Sequence, residues 1–114
     1  MTELLTEEAE TYWVRIYVAG DIHYARQVCR EECMREGLCV TVEAVSSIYT
    51  GGEESGIVVG LINYPHFPAA EADILDRATQ LGKLLTEKLC QRSFSIMTPQ
   101  RTIRYFRQTD GAAP

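Results

Sequence analysis

Four arginines cluster near the carboxyl end of the chain without an acidic residue between them. Arg92, Arg101, Arg104 and Arg107 lie in the stretch 91–108, which contains no Asp or Glu. A guanidinium group donates hydrogen bonds from a fixed plane and binds phosphates and carboxylates. The stretch is therefore a candidate anion-binding edge. The alternative, which we favour, is structural: charged side chains on an edge strand prevent edge-to-edge aggregation and pair with nearby carboxylates.

Only two histidines are available for acid–base chemistry near neutral pH. His23 falls in the first turn of a predicted helix. His66 lies in the loop 63–68, where two prolines stiffen the backbone and would hold the imidazole in place. His66 is the better functional candidate, although a simple packed connection explains the same loop and is favoured. The candidate ligand-binding residues are Arg15, Tyr17, His66 and Arg104.

The four cysteines do not follow a metal-binding pattern. They are Cys29, Cys33, Cys39 and Cys90. No CxxC pair occurs and the spacing matches no zinc site, so we expect no metal and interpret the thiols as small core residues. The alternative is a reactive Cys29 or Cys33, whose thiolate would be favoured by Arg26 or Arg30. Because GxSxG, P-loop and HExxH motifs are also missing, we name no catalytic residue and expect no cofactor.

Alternating and helical apolar patterns predict the elements that carry these residues. We expect strands over residues 12–19, 38–50, 56–64, 92–97 and 102–107, and helices over residues 22–36 and 70–89. In the first strand, Val14, Ile16 and Val18 alternate with Trp13 and Tyr17, which is the period-two pattern of a strand. The aliphatic face should meet the helices, whereas the aromatic face should lie on the other side of the sheet.

The order strand, helix, strand, strand, helix, strand, strand predicts an α+β sandwich with both helices on one face of an antiparallel sheet. The opposite face is left uncovered. We expect this open face to mediate self-association, and its predicted interface residues are Trp13, Tyr17, Val58 and Ile62. A turn is predicted over residues 51–55, and its two carboxylates, Glu53 and Glu54, are expected to meet a basic partner surface.

Length and charge limit the partners. The chain of 114 residues fits one domain and has a net charge of −5, which disfavours general nucleic-acid binding. The acidic segment 1–10 lacks the apolar core of a secretory signal, and no apolar run approaches the roughly 18 residues of a membrane span. We therefore expect a cytoplasmic protein with no membrane contact, made of the segment 1–10, a domain over 11–108 and a tail over 109–114.

Two resemblances accompany this pattern. The element order resembles the ferredoxin-like βαββαβ fold with an extra carboxyl-terminal strand, and residues from Ala25 through Gly37-Leu38-Cys39-Val40 and Ser47-Ile48-Tyr49 to Val58-Val59 are similar to the CutA and PII-like group. The carboxyl-terminal half departs from CutA because no His-Pro-Tyr-Glu segment follows the second helix, so no functional residue is carried over. The small acidic build is also similar to bacteriophage accessory proteins, some of which block host defence.

Three functions are compatible with these features. The first is a non-enzymatic oligomer that binds a small anionic ligand at a subunit junction. The second is an acidic protein-interaction or inhibitory module of the phage accessory type. The third is a small dimeric ferredoxin-like enzyme, with a cleft on the sheet lined by the candidate ligand-binding residues. We rank the three in that order, so catalysis is the least expected.

Overall fold

A computed structural model describes residues 2–108, in which five strands and two helices follow one another. The elements are β1 (Trp13–Ala19), α1 (Ile22–Glu36), β2 (Thr41–Tyr49), β3 (Gly52–Ile62), α2 (Glu71–Lys88), β4 (Ser93–Met97) and β5 (Thr102–Phe106). The strands form one antiparallel sheet in the order β2-β3-β1-β4-β5. The predicted α+β architecture is confirmed: it is a ferredoxin-like arrangement with an extra strand, and both helices pack on one face.

The core forms where the aliphatic face of β1 meets the helices. Val14, Ile16 and Val18 are buried as the alternation predicts. Ile16 lies at the centre because it pairs with Val59 on β3 and with Ile96 on β4, and all three side chains are fully buried. Burying such aliphatic side chains stabilises the fold by about 1.5–3 kcal/mol each. The middle of the sheet is thus its most strongly packed part.

Both ends of α1 have caps of residue types that are typical of helix ends. The Asp21 side chain accepts a hydrogen bond from the Tyr24 amide, which satisfies a donor that the first turn leaves free. Gly37 ends the helix in the left-handed conformation, with φ of 69°, and its amide donates to the Cys33 carbonyl. Two local signals therefore determine where the helix starts and stops.

The second helix buries a stripe against the sheet. Ile74, Ala78, Leu81 and Leu85 recur at helical spacing and are buried, whereas Leu75 is only partly buried. Gly82 faces the Phe94 ring so closely that a Cβ there would collide with it. Leu89, which follows α2, is also buried in this core.

The β2–β3 hairpin differs from the prediction. We expected a turn over residues 51–55, but Thr50 and Gly51 alone form it, and Tyr49 pairs with Gly52. Gly51 has φ of 89°, which is the positive value required at the second central residue of a type II turn. The glycines and glutamates of this segment suggested a longer turn. In the structure the two-residue turn brings the strands together earlier, so Glu53 and Glu54 are paired within the sheet.

The hairpin is also longer than the sheet beneath it. β1 ends where Ala19 pairs with Gly56, whereas β2 and β3 stay paired up to Tyr49 and Gly52. The residues from Ser46 to Ser55 therefore project beyond β1, and we call them the hairpin arm. In this sheet β1 is the middle strand, and β3 lies between it and the edge strand β2.

The chain before β1 has no helix or strand within residues 2–12, and most of its side chains are exposed. It is held at its end, where the Asn63 side-chain amide donates to the Glu10 carbonyl at 2.8 Å. The predicted tail over 109–114 lies outside the described residues. Neither helix in the described range has the length and apolar character needed to cross a bilayer.

Candidate functional site

One row of side chains crosses the open face of the sheet. Side chains at paired positions of neighbouring strands share a face and lie about 5 Å apart at Cβ. The pairing registers place Arg104, Ser95, Tyr17, Val58 and Glu43 in such a row, from β5 to β2. The row combines a cation, a hydroxyl, a phenol and a carboxylate, so it offers varied contacts to a ligand that lies on the sheet.

Next to this row the side chains on the open face are small. Ala19 on β1 pairs with Gly56 on β3, and Gly56 pairs with Val45 on β2. Ala19 and Gly56 carry a methyl group and a hydrogen atom, respectively, so little side-chain volume stands above the backbone. Glycine within a strand often marks a place where a ligand approaches closely.

A cleft of about 320 Å³ begins at Ala19 and extends along the start of β4. Such a volume is within the range of small-molecule sites, which is roughly 300–1,000 Å³. Its lining is Tyr17, Val18, Ala19, Glu54, Gln91, Arg92, Ser93, Phe94 and Ser95. Glu54 belongs to the hairpin arm and Arg92 precedes β4, so the two charged groups come from different elements. We call this site the open-face cleft.

The charges of the open-face cleft suit a ligand that carries both signs. Arg92 can donate hydrogen bonds to a carboxylate, and Glu54 can accept them from an ammonium group. No ion pair within residues 2–108 involves either residue. The Tyr17 ring adds a flat surface on which an aromatic ligand group can stack. The arrangement fits a zwitterionic ligand with an aromatic part.

The candidate ligand-binding residues do not all meet in this cleft. Tyr17 lines it, whereas Arg15 and Arg104 lie on the same face outside its lining. The Arg15 guanidinium carbon is 5.0 Å from the centre of the Trp13 ring. That of Arg104 is 4.6 Å from the centre of the Phe106 ring. Both arginines therefore make cation–π contacts with neighbours.

His66 lies elsewhere. It is exposed on the loop after β3, its Nδ1 atom is 3.7 Å from a carboxylate oxygen of Glu7, and its ring packs edge-on against Phe67. The residue is beyond the end of the sheet where Trp13 pairs with Ile62, and it does not line the open-face cleft. The structure thus separates His66 from Tyr17, with which we grouped it.

The predicted interface residues do share the open face. Trp13 pairs with Ile62, and Tyr17 pairs with Val58, so the four form two neighbouring pairs. Val58 is only 6% exposed within one chain, whereas Ile62 is 47% exposed. Self-association through this face stays a prediction.

Glu53 and Glu54 do not form the acidic tip that we expected. Both lie inside β3, and successive strand residues point to opposite faces. Glu54 pairs with Ser47 on the open face, whereas Glu53 pairs with Ile48 on the helix side. Only Glu54 contributes to the open-face cleft. Ala19, Ser93 and Ser95 also line the cleft and were not among the predicted site residues. The signal that could have found them is their small size at alternate strand positions.

The thiols lack the properties of reactive cysteines. Cys29 is buried, and burial raises its thiol pKa to about 11 despite the arginines nearby on α1. Burial also raises the pKa of Cys33. Neighbouring arginines were expected to favour a thiolate, but desolvation outweighs them. Cys39 and Cys90 are exposed, so our interpretation of all four thiols as core residues is wrong for these two.

A larger groove of about 560 Å³ lies between the end of α1, the end of β3 and the start of α2. Its lining is mostly apolar and includes a single charged side chain, Arg77. Cys39 and Tyr64 meet there, and their hydrogen bond, together with burial, raises the pKa of Tyr64 to about 12. With fewer polar groups, this groove is less suited to orient a polar ligand. Within residues 2–108, no group of three or more potential His, Cys, Asp or Glu ligands could hold a metal ion.

Comparison with known proteins identifies the fold. No protein-family model matches the chain, and no curated protein sequence matches it. The structure is similar to a phage SAM lyase in its apo state, with a TM-score of 0.78 and 17% identity over 95% of this chain and 99% of that one. It is also similar to a phage SAM lyase in complex with S-methyl-5'-thioadenosine, with a TM-score of 0.72 and 15% identity over 93% and 97% of the chains.

This finding corrects the ranking of functions. We placed a non-enzymatic ligand-binding oligomer first, but two solved structures that are similar over nearly the full chain are those of an enzyme. Our first prediction is therefore wrong. The third, a small enzyme of ferredoxin-like architecture with a site on the sheet, agrees better with the comparison.

Proposed function

We propose that this chain is an SAM lyase that releases S-methyl-5'-thioadenosine. The observation that carries the proposal is the fold similarity to phage SAM lyase over 95% of this chain and 99% of that one. The second similar structure holds S-methyl-5'-thioadenosine, which indicates the type of molecule that such a fold accommodates. The open-face cleft adds groups that match the substrate.

The reaction breaks one bond of a sulfonium ion. The sulfur of SAM carries a methyl group, a 5'-adenosyl group and a 3-amino-3-carboxypropyl group. S-methyl-5'-thioadenosine retains the first two, so the bond that breaks joins the sulfur to the third. Its electron pair goes to the sulfur, which becomes a neutral thioether. The four-carbon fragment regains an electron pair by losing a proton from the adjacent carbon or by bonding to its own carboxylate oxygen.

The open-face cleft can hold each part of this substrate. In our proposal, Arg92 binds the carboxylate, Glu54 binds the ammonium group and the Tyr17 ring stacks on the adenine. Ala19 contributes a small, uncharged side chain to the floor. A sulfonium held over such a floor is poorly solvated, and this favours a transition state in which its positive charge disappears. The net charge of −5 also attracts a cationic substrate.

The direct test is to incubate the purified chain with SAM and measure S-methyl-5'-thioadenosine by liquid chromatography and mass spectrometry. We expect Glu54→Gln to lower kcat/KM by roughly 10- to 100-fold, because a hydrogen bond to a charged group contributes about 1.5–3 kcal/mol. Glu53→Gln is the matched control, since the neighbouring carboxylate points to the other face and should leave kcat/KM unchanged.

Two outcomes would reject the proposal. One is a folded wild-type chain that forms no S-methyl-5'-thioadenosine above the spontaneous breakdown of SAM. The other concerns the site: equal effects of Glu54→Gln and Glu53→Gln would show that the reaction does not use the open-face cleft. Circular dichroism spectra of both variants establish that they fold.

A further inference from the structure

A groove of about 300 Å³ runs along the other face of the sheet, between α2 and the edge strand β5. Within residues 2–108, α2 packs on β1, β3 and β4 but does not reach β5, so the edge is uncovered by helix. The groove is lined by Lys83, Thr86, Glu87, Arg92, Phe94, Tyr105, Phe106 and Arg107. We call it the α2–β5 groove.

Two arginines of this groove stand opposite each other. Arg92 precedes β4 and Arg107 follows β5, one position beyond the pair formed by Ser93 and Phe106. The Arg107 amide donates to the Arg92 carbonyl at 2.9 Å, which holds the two backbones together. Like charges directly opposite each other in an antiparallel pair are destabilising. The pairing therefore costs stability unless an anion lies between the two guanidinium groups.

Nothing in the described chain neutralises this charge fully. No ion pair within residues 2–108 involves Lys83, Arg92 or Arg107. Glu87 is the acidic residue of the lining, and within residues 2–108 it makes no ion pair with any of these three cations. The two arginines are left as an uncompensated pair at the end of the groove.

One of these arginines is already oriented. The Nε atom of Arg107 donates to the Gln91 carbonyl at 3.4 Å, which leaves its two terminal nitrogens free to donate elsewhere. An oriented guanidinium loses less side-chain entropy when it binds a ligand. Two terminal nitrogens in one plane match two oxygens of a phosphate or carboxylate.

We infer that the α2–β5 groove binds the phosphate group of a small phosphorylated molecule. A phosphate monoester carries close to two negative charges at neutral pH, which matches the two opposed arginines, and Lys83 adds a third donor. The groove lies on the opposite sheet face from the open-face cleft, although Arg92 borders both sites. Because the proposed SAM site also uses Arg92, the test changes Lys83 and Arg107, which line only the groove, and either proposal can then fail without the other.

The test is a titration with inorganic phosphate followed by two-dimensional amide NMR, with sodium chloride at matched ionic strength as the reference. We expect saturable shift changes confined to residues near Lys83, Gln91 and Arg107. The double variant Lys83→Gln/Arg107→Gln should weaken phosphate binding at least about tenfold, because it removes two of the three charged donors. Adenosine monophosphate should bind at the same residues, and adenosine should not.

Arg101→Gln is the matched control, because Arg101 is exposed in the same basic stretch but does not line the groove. It should bind phosphate as the wild type does. Equal weakening in Arg101→Gln and in the double variant would overturn the inference, as would shifts that chloride reproduces at the same ionic strength. The single variant Lys83→Gln replaces the double variant if the latter does not fold.

Discussion

At the scale of single residues, burial and strand direction determine which groups are available for chemistry. Glu53 and Glu54 are adjacent in the chain, but only the second reaches the open-face cleft. Cys29 lies one helical turn from arginines, but its surroundings on the core side determine its pKa. The chemical type of a residue is therefore a weaker guide to its function than the side of the element on which it lies.

The Cys29 thiol should make the stability of the fold depend on pH in alkaline solution. Burial raises its pKa from 9.0 to about 11, so between these values the unfolded chain loses a proton that the folded chain keeps. The contribution of Cys29 is complete below pH 9.0 and is lost as pH rises towards 11. Wild-type unfolding free energy should fall over this interval by about 2 kcal/mol more than that of Cys29→Ala.

Denaturant unfolding at intervals between pH 8 and about 11 measures this difference. Cys90→Ala is the control, because Cys90 is exposed and should leave the wild-type slope unchanged. Parallel curves for the wild type and Cys29→Ala would show that the buried thiol does not titrate differently in the two states.

At the scale of elements, the two helices end in different ways. α1 ends at Gly37, which adopts a left-handed conformation without cost from a side chain. α2 is followed by Cys90, which has φ of 57° although it is not glycine. A residue with a Cβ pays about 1–2 kcal/mol in this region. The end of α2 therefore contains local strain that the end of α1 avoids.

Adding a Cβ at Gly37 and removing the one at Cys90 should change the free energy of unfolding in opposite directions. Gly37→Ala should destabilise the fold by about 1 kcal/mol through the backbone alone, since no atom lies within 4 Å of the added Cβ. Cys90→Gly should stabilise it by about 0.5–1 kcal/mol, because the strain is relieved and an exposed thiol loses little packing. Thermal unfolding of both variants against the wild type measures the two effects. A lower melting temperature for Cys90→Gly would contradict the second.

At the scale of the whole molecule, the two faces of the sheet have different surroundings. The helices cover one face completely at its centre, while the other carries Trp13, Tyr17 and Ile62 without a covering layer. Ile62 is 47% exposed on this face. We propose that a second copy of the chain covers part of this face, as the alternation in β1 predicted.

A charge placed on the open face tests this proposal. Trp13→Glu should convert the oligomer into a folded monomer, because a carboxylate would be buried without a partner in the interface. Tyr24→Glu is the control: Tyr24 is a partly exposed aromatic residue on α1, and its replacement should leave the oligomer intact. Native mass spectrometry measures the assembly. A wild-type monomer, or an unchanged oligomer in Trp13→Glu, would exclude the interface.

Much of the fold could be predicted because its signals are local. Alternation identified the buried face of β1, and Asp21 and Gly37 marked the ends of α1 within single residues. The predicted length of the hairpin turn was wrong, because composition alone cannot specify how far two strands remain paired. Of the four candidate ligand-binding residues, only Tyr17 lines the open-face cleft.

By itself, the sequence determined the element order, the polarity of β1 and the acidic balance of the chain, because each depends on neighbouring residues or on counting. The tertiary structure alone decided which residues meet. Glu54 and Arg92 are far apart in the chain, yet pairing of β1 with both β3 and β4 brings their strands to one cleft. It also set Arg92 against Arg107 across the β4–β5 pair. Such contacts depend on strand order and register, which arise from packing of the whole sheet rather than from any local pattern.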